Sequence, residues 1–165
     1  VADSFGKSEV ARGFIALMGP AASMLTTGLF AWLSLQNSEP FLSDLAILSA
    51  AVNGLNLLPI LPLDGGRVLQ ALTSRLSPRG ARAIHASTVL AGVGLAAIIR
   101  DYLLMGLMIL IAPSVLSVKA SAFHKPAPLS GSEAAWLASG YIATFVFYAV
   151  VTLRLWNEAM AAGGS

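Results

Sequence analysis

The chain has 165 residues, of which 56% are hydrophobic and only 11% charged, with a mean hydropathy of +0.77. Soluble domains carry roughly 25% charged residues, so a water-soluble globule is excluded and an integral membrane protein with the lipid bilayer as a partner is expected. The net charge of +2 and pI near 9.3 would point to nucleic acid in a soluble protein. Here the basic residues gather between apolar runs, which makes them an orientation signal and leaves no nucleic-acid partner. Cysteine is absent, which removes disulfides and thiolate metal ligands.

The chain opens on Val1, so a processed or partial chain is expected. Its first residues, VADSFGKSE, are too acidic for the basic start of a signal peptide, and the apolar run behind them is longer than a signal core. Five apolar stretches follow, at 13–35, 45–63, 83–99, 102–118 and 134–153. Each lies near the ~20 residues that cross a ~30 Å hydrocarbon core, and helix is expected because lipid offers no partners for open backbone. The expected fold is therefore an all-α integral membrane protein of about five transmembrane helices. The third and fourth stretches, joined by Arg100-Asp101, predict a tight helical hairpin. Small residues in LAGVGLAA (90–97) point to close helix packing. Residues 123–132, FHKPAPLSGS, form a Pro- and Ser-rich linker, so 1–125 is expected as the core and 126–165 as linker plus an additional C-terminal helix. Trp32, Trp136 and Trp156 fall near stretch ends, as an interfacial belt requires.

Alternation of five spans puts Lys7, Arg12, Arg67, Arg75, Arg79, Arg82, Lys119 and Lys125 on one side, leaving Arg100 and Arg154 opposite. The basic side is expected to be cytoplasmic. The 67–82 loop then faces the cytoplasm, in a bacterial inner membrane, and the second span carries Asp64 toward that face.

The second stretch ends in NLLPILPLDGGRVL (56–69). Pro59 and Pro62 each remove a backbone donor and clash with the preceding turn, so the second helix is expected to break near its cytoplasmic end. Gly65 and Gly66 permit backbone angles that other residues avoid. A carboxylate at membrane depth is costly unless it meets a cation or a proton. Two bland readings stand beside that one: Asp64 caps the following helix or pairs with Arg67, and Asn56 glues two helices together.

Asn56, Pro59, Leu63, Asp64, Gly65 and Gly66, in that order, resemble the Asn-to-Asp motif of the site-2 protease family of intramembrane zinc metalloproteases. FIALMGPAASML (14–25) resembles the Gly-Pro segment that opens the preceding helix in that family. Together the two cover Phe14 to about Leu72. The resemblance implies a protease that cuts transmembrane protein substrates with Zn2+ as cofactor. Asp64 would be the third zinc ligand, and Asn56 and Pro59 would meet an extended substrate strand. Zinc with three protein ligands keeps a position for water and lowers its pKa toward ~7.

Several residues depart from the family pattern. Ser23 stands where asparagine is common, and Leu61 where a third proline is common. There is no H-E-x-x-H, the helix that supplies two zinc ligands and the general base, so no catalytic residue is expected in this chain. That helix is expected upstream or on a second chain. His85 and His124 are the two histidines and are not paired at i, i+4. His85 reads as a packing or interfacial residue that could approach Asp64, and His124 as a loop residue. The alternatives are a pseudoprotease that binds membrane partners without cutting them, and a transporter or channel subunit with Asp64 as its ion or proton site.

Overall fold

The computed structural model describes residues 9–37, 39–98, 100–117 and 129–163. His124 and most of the 123–132 linker lie outside them. The described residues form helices α1 (Glu9–Asn37), α2 (Pro40–Asn56), α3 (Asp64–Leu72), α4 (Pro78–Ile98), α5 (Tyr102–Ser117) and α6 (Gly131–Gly163), with a 3-10 turn at Thr73–Arg75 and no strand.

Local sequence accounts for most helix ends. Pro40 opens α2 and Pro78 opens α4, where the missing N–H would have had no helical partner anyway. The Ser77 hydroxyl accepts the Gly80 N–H at 3.2 Å. Ser130 and Glu133 form a capping box ahead of α6: the Ser130 N–H donates to Glu133 Oε2 at 2.7 Å, and the Glu133 N–H donates to Ser130 Oγ at 3.2 Å. That Ser-x-x-Glu signal moves the helix start to Gly131, three residues before the apolar stretch at 134–153.

Three helical segments are long and apolar enough to cross a membrane: Ala11–Asn37, Pro78–Ile98 and Gly131–Glu158. Helices α2 and α5, with 17 and 16 described residues, lie near the short end of the ~17–25 that a crossing takes. The three long segments contain most of the first, third and fifth expected stretches, while the second and fourth fall in shorter helices. In α2 the reason is the break after Asn56, which takes 57–63 out of the helix. Arg67, Arg75, Arg79 and Arg82 do not sit in an open loop either. Arg67 is on α3, Arg75 in the 3-10 turn, and Arg79 and Arg82 in the first turns of α4. Segment 64–72 is helical because Gly65, Gly66, Val68 and Ala71 all face the interior.

Two groups of helices pack on either side of the broken segment. Ala16 and Leu17 of α1, Ala50 of α2, Val68 and Ala71 of α3, and Leu137 and Tyr148 of α6 share a core with Leu57. Ala81 and Val89 of α4 and Met108 and Ile111 of α5 share another with Ile60 and Leu61. Small residues set the approach of the first group. A methyl on Gly13 would lie 2.5 Å from Leu137 Cδ2 and 3.1 Å from Ala71 Cβ, so α1, α3 and α6 meet where α1 has no side chain. Pro20, inside α1, is buried, and its carbonyl accepts the Tyr148 hydroxyl at 2.6 Å. The Thr27 and Ser49 hydroxyls meet at 2.6 Å and tie α1 to α2. Leu25, Ile98, Leu110, Trp136 and Trp156 stay exposed, as lipid-facing positions do.

Candidate functional site

Asn56 is the last residue of α2 and Asp64 the first of α3. The seven residues between them are not helical, and the Leu61-Pro62 peptide is cis. Short bonds hold the segment internally: Ile60 N–H to Leu58 C=O at 2.7 Å, and Leu63 N–H to Ile60 C=O at 2.9 Å. It is then folded tightly against the start of α3. A Cβ on Gly65 would lie 2.1 Å from the Leu57 carbonyl oxygen, and one on Gly66 would lie 2.3 Å from the Ile60 carbonyl carbon. The expectation that these glycines serve unusual backbone angles is corrected here. Both are helical, among the described residues the positive φ outside glycine is at Arg100, and what requires glycine at 65 and 66 is backbone lying on backbone. The residue after Asp64 thus rests on the residue after Asn56, which brings the two predicted site residues to one place.

The freed carbonyls are satisfied from other helices. The Tyr141 hydroxyl of α6 donates to the Leu57 carbonyl. The Thr88 hydroxyl of α4 lies 2.9 Å from the Pro59 carbonyl and 2.8 Å from that of His85. Irregular backbone at membrane depth persists only when protein or water supplies such partners. Pro59 is half-buried, and its carbonyl meets the Thr88 hydroxyl.

Asp64 is not the N-cap of α3. That position is Leu63, which has no side-chain cap. The Asp64 carboxylate lies in the first turn, where the helix dipole favours negative charge. Its Oδ1 is 4.0 Å from Arg67 Nη1, and its side chain keeps 31% exposure. The spacing is the outer limit of an ion pair, and such half-open pairs contribute little. The carboxylate is held near α3 without being consumed by a tight contact.

His85 is fully buried on the α4 face that carries Ala81 and Val89. That face packs toward Ile60 and Leu61. Among the described residues no three His, Cys, Asp or Glu side chains converge as metal ligands do. A tetrahedral zinc site takes at least three protein donors, so the described residues do not make up a zinc site by themselves. Asp64 supplies one carboxylate. Tyr141 and Thr88 were missed from sequence, since a lone hydroxyl in an apolar helix carries no signal of what it will meet.

The fold and this site define a helical membrane protein with a carboxylate at a broken, internally braced helix. Residues 35–100 match the model of Peptidase family M50, the site-2 protease family. The match contains Asn56, Pro59, Asp64, Gly65 and Gly66 and continues through α4, while the Gly-Pro segment at 14–25 lies outside it. No curated protein and no solved structure matches the chain.

Proposed function

We propose that this chain is the aspartate-bearing part of an intramembrane zinc metalloprotease that hydrolyses peptide bonds of membrane-spanning substrates. In this reading Asp64 is the third zinc ligand, and Asn56 and Pro59 border the substrate strand. The observation that carries the reading is the family match over 35–100, because its residues include the whole broken segment. Two further donors and the general base have to come from outside the described residues, on an upstream segment or a second chain. The Asp64 carboxylate, 31% exposed and 4.0 Å from Arg67, is accessible to a metal ion.

The test is zinc content and turnover of a membrane substrate by the complete gene product. Asp64→Asn should abolish cleavage and lower bound zinc with the protein still in the membrane. Asn56→Ala should keep zinc and lower turnover up to about tenfold, the worth of one hydrogen bond. If Asp64 were only a first-turn charge, its loss would cost about 0.3–1 kcal/mol of stability and leave cleavage intact, which would sink the assignment. An ion-transport role for Asp64 predicts lost coupling and no zinc in any variant.

The basic side of the molecule is proposed to be cytoplasmic, in a bacterial inner membrane. Single cysteines at Asn37 and Ser77, both exposed, should then label from opposite faces with an impermeant thiol reagent. Labelling from one face would reject that orientation.

A further inference from the structure

Helix α6 begins 31 residues beyond the end of the family match (131 against 100), yet it reaches the broken segment. It packs against α1, α2 and α3, and Tyr141 puts its hydroxyl on the Leu57 carbonyl. That carbonyl oxygen is the atom a Cβ on Gly65 would strike, so it lies between the Tyr141 hydroxyl and the residue next to Asp64. On the other side of the segment, the Thr88 hydroxyl shares its one proton between the Pro59 carbonyl and the His85 carbonyl of its own helix. Between these anchors the backbone has few choices. Leu57 belongs to the core of α1, α2, α3 and α6, while Ile60 and Leu61 belong to that of α4 and α5.

We infer that Tyr141 and Thr88 are positioning residues, a two-sided clamp that holds residues 57–63 and thereby fixes Asp64 relative to Asn56. The C-terminal helix is then part of the site, although it lies beyond the matched residues. A carbonyl released from either hydroxyl must find water or remain unpaired in an apolar surrounding, which costs on the order of 1–3 kcal/mol. Loosening the segment is the cheaper response. The Tyr141 ring is half-buried in the core, so removing its hydroxyl alone leaves the packing in place. The role of the clamp in turnover rests on the protease reading above; its mechanical part does not.

The experiment uses the complete gene product in nanodiscs, with Tyr141→Phe, Thr88→Val and Thr88→Ser. Amide hydrogen exchange over 57–63 should rise about three- to tenfold in Tyr141→Phe and Thr88→Val, the range one hydrogen bond commands. It should stay unchanged at the α4–α5 turn, and Thr88→Ser should restore protection because it restores the hydroxyl. Turnover should fall in kcat by a similar factor, with KM within about twofold, since the loss is one of geometry at the site rather than of substrate affinity. Unchanged exchange in both hydroxyl-less variants would overturn the clamp, whatever the protein's activity. Raised exchange with unaltered kcat would overturn the positioning role. Raised exchange in a protein whose wild type cuts no membrane substrate would uphold the clamp and overturn the protease reading instead.

Discussion

The chain interrupts its apolar helices in two contrasting ways. At Arg100-Asp101 the turn between α4 and α5 closes on itself. Arg100 takes the left-handed conformation at φ 57°, the Asp101 N–H donates back to the Ala96 carbonyl at 2.9 Å, and the Asp101 carboxylate accepts the Leu104 N–H at 2.9 Å. Every one of those bonds is local. The break at 57–63 is longer and borrows its partners from far away: Tyr141 is 84 residues from Leu57, and Thr88 is 29 residues from Pro59. It also demands glycine at two places where α3 lies on the segment's backbone. A connection needs only local closure. A break held by three separate helices is an expensive way to turn a corner, and structure of that cost tends to collect at working sites.

The largest effect that would sharpen this contrast is expected at the glycines. Gly65→Ala or Gly66→Ala pushes a methyl into main-chain atoms that cannot step aside, and should destabilise the folded protein by more than about 3 kcal/mol. Gly94→Ala, in α4 with nothing within 4 Å of the added methyl, should be neutral or stabilising by about 0.5–1 kcal/mol through helix propensity. Unfolding in detergent reads both. Equal costs at Gly65 and Gly94 would mean that α3 does not rest on the broken segment.

At the α4–α5 turn the expected effects are smaller. Asp101→Ala removes the side chain that accepts the Leu104 N–H and should cost about 1 kcal/mol. It should leave amide exchange at 57–63 untouched, because the bond it removes is local to the α4–α5 turn. Arg100→Gly should stabilise by about 0.5–1 kcal/mol, since glycine carries no Cβ penalty in the left-handed region. A loss of stability there would show that the Arg100 side chain contributes more than its backbone strain costs.

The hairpin at 100–101 was legible in the sequence, since two charged residues between apolar stretches leave room for one tight turn and Asp is a ready cap. The break after Asn56 was legible too, because Pro59 and Pro62 cannot continue a helix. The site was only half legible. Asn56, Pro59 and Asp64 stand out by type and spacing, and the structure gathers them at one segment. The short helix α3 was read as loop because charged Arg67 and two glycines hide a nine-residue helix too short to show a clear apolar period. The sixth helix was read as an addition to the core, yet it packs on α1, α2 and α3 and reaches Leu57.

What the amino-acid sequence determined by itself is everything set by composition and by neighbours a few residues apart: residence in the membrane, helical structure, the places where helices must stop, and the residue types at the candidate site. Tertiary structure alone decided how far the break shortens α2, why glycine is needed at 65 and 66, and which hydroxyls satisfy the freed carbonyls. The physical reason is that a proline removes its own hydrogen bond wherever it stands, so the loss can be read locally. The replacement partner is supplied by whichever helix packs there, and that follows from the arrangement of the whole bundle.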